Sequence, residues 1–272
     1  MRRRRGAGLR CAVGLIVISV GAGSGCGGGS KSTGPSTGTK PPATTPADFD
    51  FGPNDARRAT AFGDSITRGV VRDGAITRDS YPNVLQAMLR GQDPAWRVIN
   101  RGVPGETTPV GARRFPGARA ADRPGFALIM EGTNDAERGD DPAFILANLE
   151  SMVSNAEGNR TIPVLATIPP IFRNDPRGQS VVSAANAMIR TLARSRGIGL
   201  AEIFEGMNDR NLFGVPEAPR VDPLHPNERG YAVMAGIWFD ALQRALPAAA
   251  ARQLARAAPP GDAPAPAPGR RR

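Results

Sequence analysis

Four short segments of this 272-residue chain carry side chains that could do chemistry together. Gly63-Asp64-Ser65-Ile66-Thr67-Arg68-Gly69 sets a serine between glycines. Asn100-Arg101-Gly102-Val103-Pro104-Gly105-Glu106-Thr107 and Gly132-Thr133-Asn134-Asp135 combine glycines with an amide. Asp222-Pro223-Leu224-His225-Pro226-Asn227 holds the only histidine. A serine hydroxyl is a weak nucleophile at neutral pH and needs an adjacent base. His225 is the only imidazole available, and Asp222, three residues earlier, can reach its far nitrogen and fix the tautomer. Charge building on an attacked carbonyl needs preorganised donors, which the Ser65 N–H, a glycine N–H and the Asn134 amide would supply. Together these residues form a set for acyl transfer through an acyl-enzyme.

Each residue also has a plainer role open to it. Ser65 could cap the helix that follows, and Asp222 could cap the last one. His225 could be a buried structural imidazole, and Asn134 a turn residue. Asp64 and Asp135 read as loop-ordering carboxylates. Arg68, Arg101 and Glu106 read as solvated loop charges beside the site.

Ser65 and His225 lie 160 residues apart, so the fold must join them. Strand candidates are Ala59–Phe62, Trp96–Asn100, Phe126–Met130, residues 162–168 and Leu200–Ile203. Between them lie helical patterns. One covers residues 81–90. A second starts at Asp141-Pro142, an N-cap followed by Pro at N1, with Ile145, Leu149 and Met152 inward. A third covers residues 180–196. The last carries Tyr231, Met234, Trp238 and Leu242 on one stripe and is expected to stop at Pro247. Such alternation predicts an α/β domain whose five-stranded parallel sheet is covered on both faces. Ligands of such sheets bind beyond the carboxyl ends of the strands, where the four segments fall. Residues 68–80, 106–124, 170–180 and 206–221 are expected as pocket-shaping loops. They hold few aromatic residues (Phe115, Phe172 and Phe213, with Tyr81 at the border), which suggests short-chain or acetyl substrates.

Composition narrows the alternatives. A lone histidine excludes a multi-histidine metal site. Cys11 and Cys26, both near the start, exclude a disulfide framework in the folded part. The net charge of +10 is concentrated at the ends. Arg2, Arg3, Arg4, Arg5 and Arg10 open the chain and Arg270, Arg271 and Arg272 close it. Without them 27 basic face 25 acidic side chains, so the folded part lacks the basic excess of a nucleic-acid binder.

The ends read as separate segments. Residues 1–25 form a signal peptide, with a basic start and an apolar run at residues 11–20 that is too short to span a bilayer. Gly23-Ser24-Gly25-Cys26 resembles a bacterial lipobox, which would make Cys26 a lipidated N-terminus and anchor the protein to a membrane. Ordinary cleavage after Val20-Gly21-Ala22 is the other reading, giving a secreted or periplasmic protein. Residues 26–55 read as a flexible tether, residues 56–247 as the domain, and residues 248–272 as a disordered tail. Gly34-Pro35-Ser36-Thr37-Gly38 matches the G-x-S-x-G nucleophile motif, but it sits in the tether and not between a strand and a helix.

Over residues 57–246 the four blocks, in this order, resemble the SGNH hydrolases of the GDSL esterase/lipase family. The resemblance implies a flavodoxin-like three-layer sandwich and an ester hydrolase with Ser65 as nucleophile, His225 as base and Asp222 as its partner. It further implies an oxyanion hole made by Ser65, Gly105 and Asn134. Gly105 is selected by its place five residues after Asn100, with Gly102 the alternative. No metal or organic cofactor is implied. The expected substrate is a small-molecule, glycan or lipid ester, and the expected state a monomer. Thioesterase, lysophospholipase or acyltransferase activity would use the same site. Two non-enzymatic readings remain: a surface-tethered binding protein that lost catalysis, and a peripheral protein held to an anionic polymer by its Arg-ended tail.

Overall fold

The computed structural model describes residues 49–172, 176–214, 222 and 224–257. Residues 1–48 and 258–272, with the signal segment, Cys26, Ser36 and the end of the tail, lie outside the described residues. The elements run β1 (Asp55–Gly63), α1 (Ser65–Arg68), α2 (Tyr81–Gln92), β2 (Arg97–Gly102), α3 (Thr108–Asp122), β3 (Pro124–Met130), α4 (Thr133–Arg138), α5 (Pro142–Gly158), β4 (Ile162–Ala166), α6 (Pro176–Arg196), β5 (Gly199–Ala201), α7 (Ile203–Gly206) and α8 (Glu228–Ala257).

The five strands form one sheet in the order β2-β1-β3-β4-β5, with every pair parallel. Side-chain alternation divides the core. Ala59, Ala61, Phe126, Leu128, Val164 and Ala166 face a layer built on Leu85 and Leu89 of α2 and Tyr231, Met234 and Trp238 of α8. Phe62, Ala127, Ile129 and Leu165 face the other way, onto Phe115 of α3, Ile145, Leu149 and Met152 of α5, and Val182 and Ile189 of α6. A parallel sheet covered on both faces is buried throughout, which is why β3 and β4 read as unbroken apolar runs. The expected three-layer α/β sandwich with a five-stranded parallel sheet is the observed fold.

Register and strand order place the site. Gly63 at the end of β1 lies beside Gly102 of β2 and Met130 of β3. The chain therefore leaves all three strands at one level, and the connections turn to opposite faces on either side of β1. Such a switch point opens a crevice.

Several boundaries differ from the sequence expectation. Residues 106–124, expected as a loop, are mostly α3. Pro116 and the two glycines of that stretch, Gly111 and Gly117, blur its periodicity, yet Phe115 packs edge-on against Phe62 with ring centroids 5.0 Å apart. The folded part starts before residue 56: Phe51 is buried, packed edge-on against Phe49 and tilted against Phe126, and β1 begins at Asp55. Pro247 does not end the last helix, which continues to Ala257. A proline inside a helix removes one hydrogen bond, but the alanines around it favour helix, and Ala249 and Ala250 are buried. β4 ends at Ala166 rather than residue 168, and Ile203 opens α7 rather than closing β5. Among the described residues no helix is long and apolar enough to cross a membrane.

Candidate active site

Ser65 is the first residue of α1, directly after β1. Asp64, not Ser65, is the cap: its Oδ1 accepts the Ile66 N–H at 2.8 Å. The serine hydroxyl is therefore free to point outward. Ser65 Oγ lies 2.9 Å from His225 Nε2. On the far side of the ring, Nδ1 lies 2.8 Å from Asp222 Oδ2. An ionised carboxylate only accepts, so Nδ1 carries the proton and Nε2 presents a lone pair to the serine hydroxyl. Asp222 Oδ1 accepts the backbone N–H groups of Leu224 (2.9 Å) and His225 (3.0 Å). Burial works to raise the Asp222 pKa. The bonds from the His225 ring and from the two backbone groups outweigh it and hold the carboxyl down at about 2.

The segment carrying His225 is fixed from outside. Asn227 donates its amide to the carbonyls of Asn211 (2.9 Å) and Gly214 (3.0 Å) and accepts the Gly230 N–H at 2.9 Å. The Gly214 N–H donates to the His225 carbonyl at 3.2 Å, and Phe213 pairs with Pro226 across an isolated bridge. These bonds determine where α8 starts and hence where the imidazole stands.

Gly105 and Gly102 separate cleanly. Gly105 is exposed, has φ 75° and lines the cleft at Ser65. This left-handed conformation suits glycine, and it forms the turn in which the Glu106 N–H returns to the Val103 carbonyl at 3.2 Å. Gly102 is buried against α1, and a Cβ there would stand 2.2 Å from the Arg68 amide nitrogen. Its role is close packing, and it does not line the cleft. Asn100 ties the end of β2 to α1: its Nδ2 donates to the Thr67 carbonyl at 2.8 Å and its Oδ1 accepts the Gly102 N–H at 2.9 Å.

Asn134 follows Gly132, whose φ of 115° turns the chain from β3 into α4. Its Nδ2 donates to the Glu106 carbonyl at 2.8 Å, with a longer approach of 3.4 Å to Asp64 Oδ2. One amide proton is committed to positioning and the side chain still lines the cleft. Asp135 orders the neighbouring loop, accepting the Thr108 N–H at 2.9 Å and the Thr108 hydroxyl at 2.6 Å. Burial nonetheless raises its pKa.

Two of the three presumed loop charges are not free. Glu106 is buried and paired with Arg114, whose guanidinium also donates to the Arg101 carbonyl at 2.9 Å and lies 4.0 Å over the Phe62 ring. Arg101 is paired with buried Asp122. Arg68 is exposed, as expected. The sequence carries no periodic signal for these pairs, because Arg114 lies on the helix that the pattern hides.

Beneath the site lies a set of carboxyls that sequence reasoning missed. Glu131, directly after β3, is buried with no hydrogen-bond partner for either oxygen. Burial, and then the charges of Asp64 and Glu106, push its pKa well above the ordinary range. Asp64 itself is pushed up to about 6 by burial, against the pull of the Ile66 N–H and His225. Among the described residues no three His, Cys, Asp or Glu side chains converge as a metal site.

The cleft over Ser65 has a volume of about 280 Å³ and is lined by Val70, Gly74, Ile76, Pro104 and Leu224 beside the polar groups already described. Among the described residues no Phe, Tyr or Trp lines it. Tyr81, Phe115 and Phe213 are fully buried, and Phe172 packs on Phe213 at 5.0 Å.

Known proteins are similar to this chain in sequence and fold. A family model described as GDSL-like Lipase/Acylhydrolase family matches residues 61–233. The chain is 28% identical over 174 residues to a protein named Esterase TesA from Pseudomonas aeruginosa, covering 63% of this chain and 80% of that one. It is 31% identical over 175 residues to a protein named Arylesterase from Vibrio mimicus, with the same coverage. Among solved structures, the acetylxylan esterase Axe2 from Geobacillus stearothermophilus shares the fold with a TM-score of 0.58 at 21% identity, covering 70% of this chain and 95% of that one.

Proposed function

Because the chain belongs to the GDSL-like lipase/acylhydrolase family and is a serine ester hydrolase, we propose that Ser65, His225 and Asp222 are its catalytic triad and that it cleaves short-chain carboxylic esters outside the cytoplasm. The observation that carries this reading is the continuous relay from the Ser65 hydroxyl through both nitrogens of His225 to Asp222.

In this reading His225 Nε2 takes the hydroxyl proton as Ser65 Oγ attacks the ester carbonyl. Asp222 holds the ring and stabilises the imidazolium that forms. The negative oxygen is received by the N–H groups of Ser65 and Gly105 and the second proton of Asn134 Nδ2. His225 then returns its proton to the leaving alcohol, and the C–O bond to that alcohol breaks. Water, deprotonated by the same imidazole, hydrolyses the acyl-enzyme and restores Ser65. Neutral Nε2 is required at the start.

Short acyl groups are favoured by a modest cleft that, among the described residues, no Phe, Tyr or Trp lines. The relative named an arylesterase makes aryl esters the first substrates to try. Export rests on the signal-like residues 1–25, and an envelope anchor on lipidation of Cys26; labelling with a radioactive fatty acid, lost in Cys26→Ser, tests the anchor. The catalytic assignment is tested with p-nitrophenyl acetate and a fluorophosphonate probe. Ser65→Ala should lower turnover by about 10⁴-fold or more and abolish labelling. Near-parent turnover in that variant would refute it.

A further inference from the structure

We propose that the hairpin from Gly69 to Thr77 is the acyl-binding wall of this esterase, and that Ile76 sets a preference for straight acyl chains of about two to four carbons. The inference rests on the catalytic reading above and extends it to the substrate.

The argument begins with the tetrahedral carbon. Once bonded to Ser65 Oγ, that carbon carries three further substituents. The negative oxygen must face the donors at Gly105 and Asn134. The leaving oxygen must face His225 Nε2, whose chain neighbour is Leu224. The other residues lining the cleft are Pro104, which adjoins Gly105, and Val70, Gly74 and Ile76 of the hairpin. The acyl carbon therefore points at the hairpin.

The wall is apolar and rigid. Val70 and Ile76 face each other in an antiparallel bridge. The Val71 N–H donates to the Ala75 carbonyl at 2.8 Å, and the Thr77 N–H to the Gly69 carbonyl at 2.9 Å. The Val70 N–H donates to the carbonyl of Ser65 itself at 2.9 Å. On its other side the Val70 carbonyl accepts the Tyr231 hydroxyl of α8 at 2.6 Å. Nucleophile and wall thus form one hydrogen-bonded body, which ties the position of the wall to that of the nucleophile.

Exposure separates the roles of the two side chains. Val70 is 6% exposed and forms the closed inner end. Ile76 is 53% exposed, a large apolar side chain at the mouth of a reactive cleft. A methylene laid against it leaves water and gains about three- to fourfold in affinity. Carbons beyond Ile76 re-enter solvent and gain nothing. Selectivity should therefore rise from acetyl to butyryl and stop rising.

The test is a series of p-nitrophenyl acetate, propionate, butyrate and octanoate, with a second series of acetates that differ in the alcohol. Both are measured on the whole protein and on Ile76→Val and Ile76→Ala. We expect the butyrate-to-acetate ratio of kcat/KM to fall about five- to tenfold in Ile76→Ala, with Ile76→Val in between, while the ratios across the alcohol series stay at the parent values. An unchanged butyrate-to-acetate ratio, or a change confined to the alcohol series, would overturn the wall while leaving the esterase reading intact. A parent protein without Ser65-dependent turnover would overturn both.

Discussion

The side-chain amide of Asn134 is bound to the backbone carbonyl of Glu106 at 2.8 Å. The two residues come from the connections after β3 and β2, which flank β1 in the sheet. The bond fastens an amide donor to the turn that contains Gly105, so both proposed oxyanion donors move as a unit. Replacing Asn134 by Ala should lower kcat by ~10²–10³-fold with a smaller change in KM, since the donor is needed most when charge develops. Steady-state kinetics on an aryl ester checks this, and a change confined to KM would argue for ground-state binding instead.

Arg114 supports the same turn from below. It neutralises Glu106, whose side chain is 1% exposed. Arg114→Met strands a buried charge and should cost ~3–5 kcal/mol of stability. Adding Glu106→Gln removes the stranded charge, so the double variant should recover much of that loss. Denaturant unfolding of the two single variants and the double variant measures the coupling.

Asp222 is expected to remain ionised down to about pH 2. Asp222 therefore keeps its charge throughout the range in which the enzyme would be assayed. Asp222→Asn keeps the shape of the side chain but removes the charge and disfavours the Nδ1–H tautomer, and turnover should fall on the order of 10³–10⁴-fold. Parent-like turnover in Asp222→Asn would contradict this role.

Glu131 makes the opposite prediction. Its folded-state pKa lies above the unfolded value, so unfolding releases a proton at neutral pH. The penalty is absent below about pH 4, the ordinary glutamate range, and grows as pH rises toward the folded-state pKa. Glu131→Met should therefore melt higher than the parent at pH 7, with the gap closing as pH is lowered to 4. Thermal unfolding across that interval tests the sign.

Gly102→Ala separates packing from catalysis. The added Cβ would meet the Arg68 amide nitrogen at 2.2 Å and displace α1, which carries Ser65. Stability and kcat should fall together, whereas Gly105→Ala, with open space at its Cβ but φ 75°, should affect activity more than melting temperature.

Much of the fold was legible in the amino-acid order, for local reasons. Apolar runs of strand length alternate with helical stripes, and that alternation implies a parallel sheet covered on both faces. The four reactive segments follow strand candidates or precede the last helix, so their convergence at one sheet edge was also implied. α3 was hidden because Pro116 and its glycines interrupt the apolar stripe, and the helix is held by Phe115 and Arg114 meeting partners distant in sequence. The passage of α8 through Pro247 depends likewise on the burial of Ala249 and Ala250.

What the order of residues determined by itself was the inventory: one serine between glycines in a tight strand-to-helix turn, one imidazole with a carboxylate three residues before it, and glycines with an amide in the two segments between. Tertiary structure decided the rest. It divided the two glycines of the second segment, one packed on a helix and one facing the cleft. It converted two apparent surface charges, Arg101 and Glu106, into pairs that brace the site, and it buried Glu131 without a partner. The physical reason is that spacing along a chain encodes periodicity and capping. Burial, charge pairing and the direction of a wall depend on which strands become neighbours, and the order β2-β1-β3 brought those residues together.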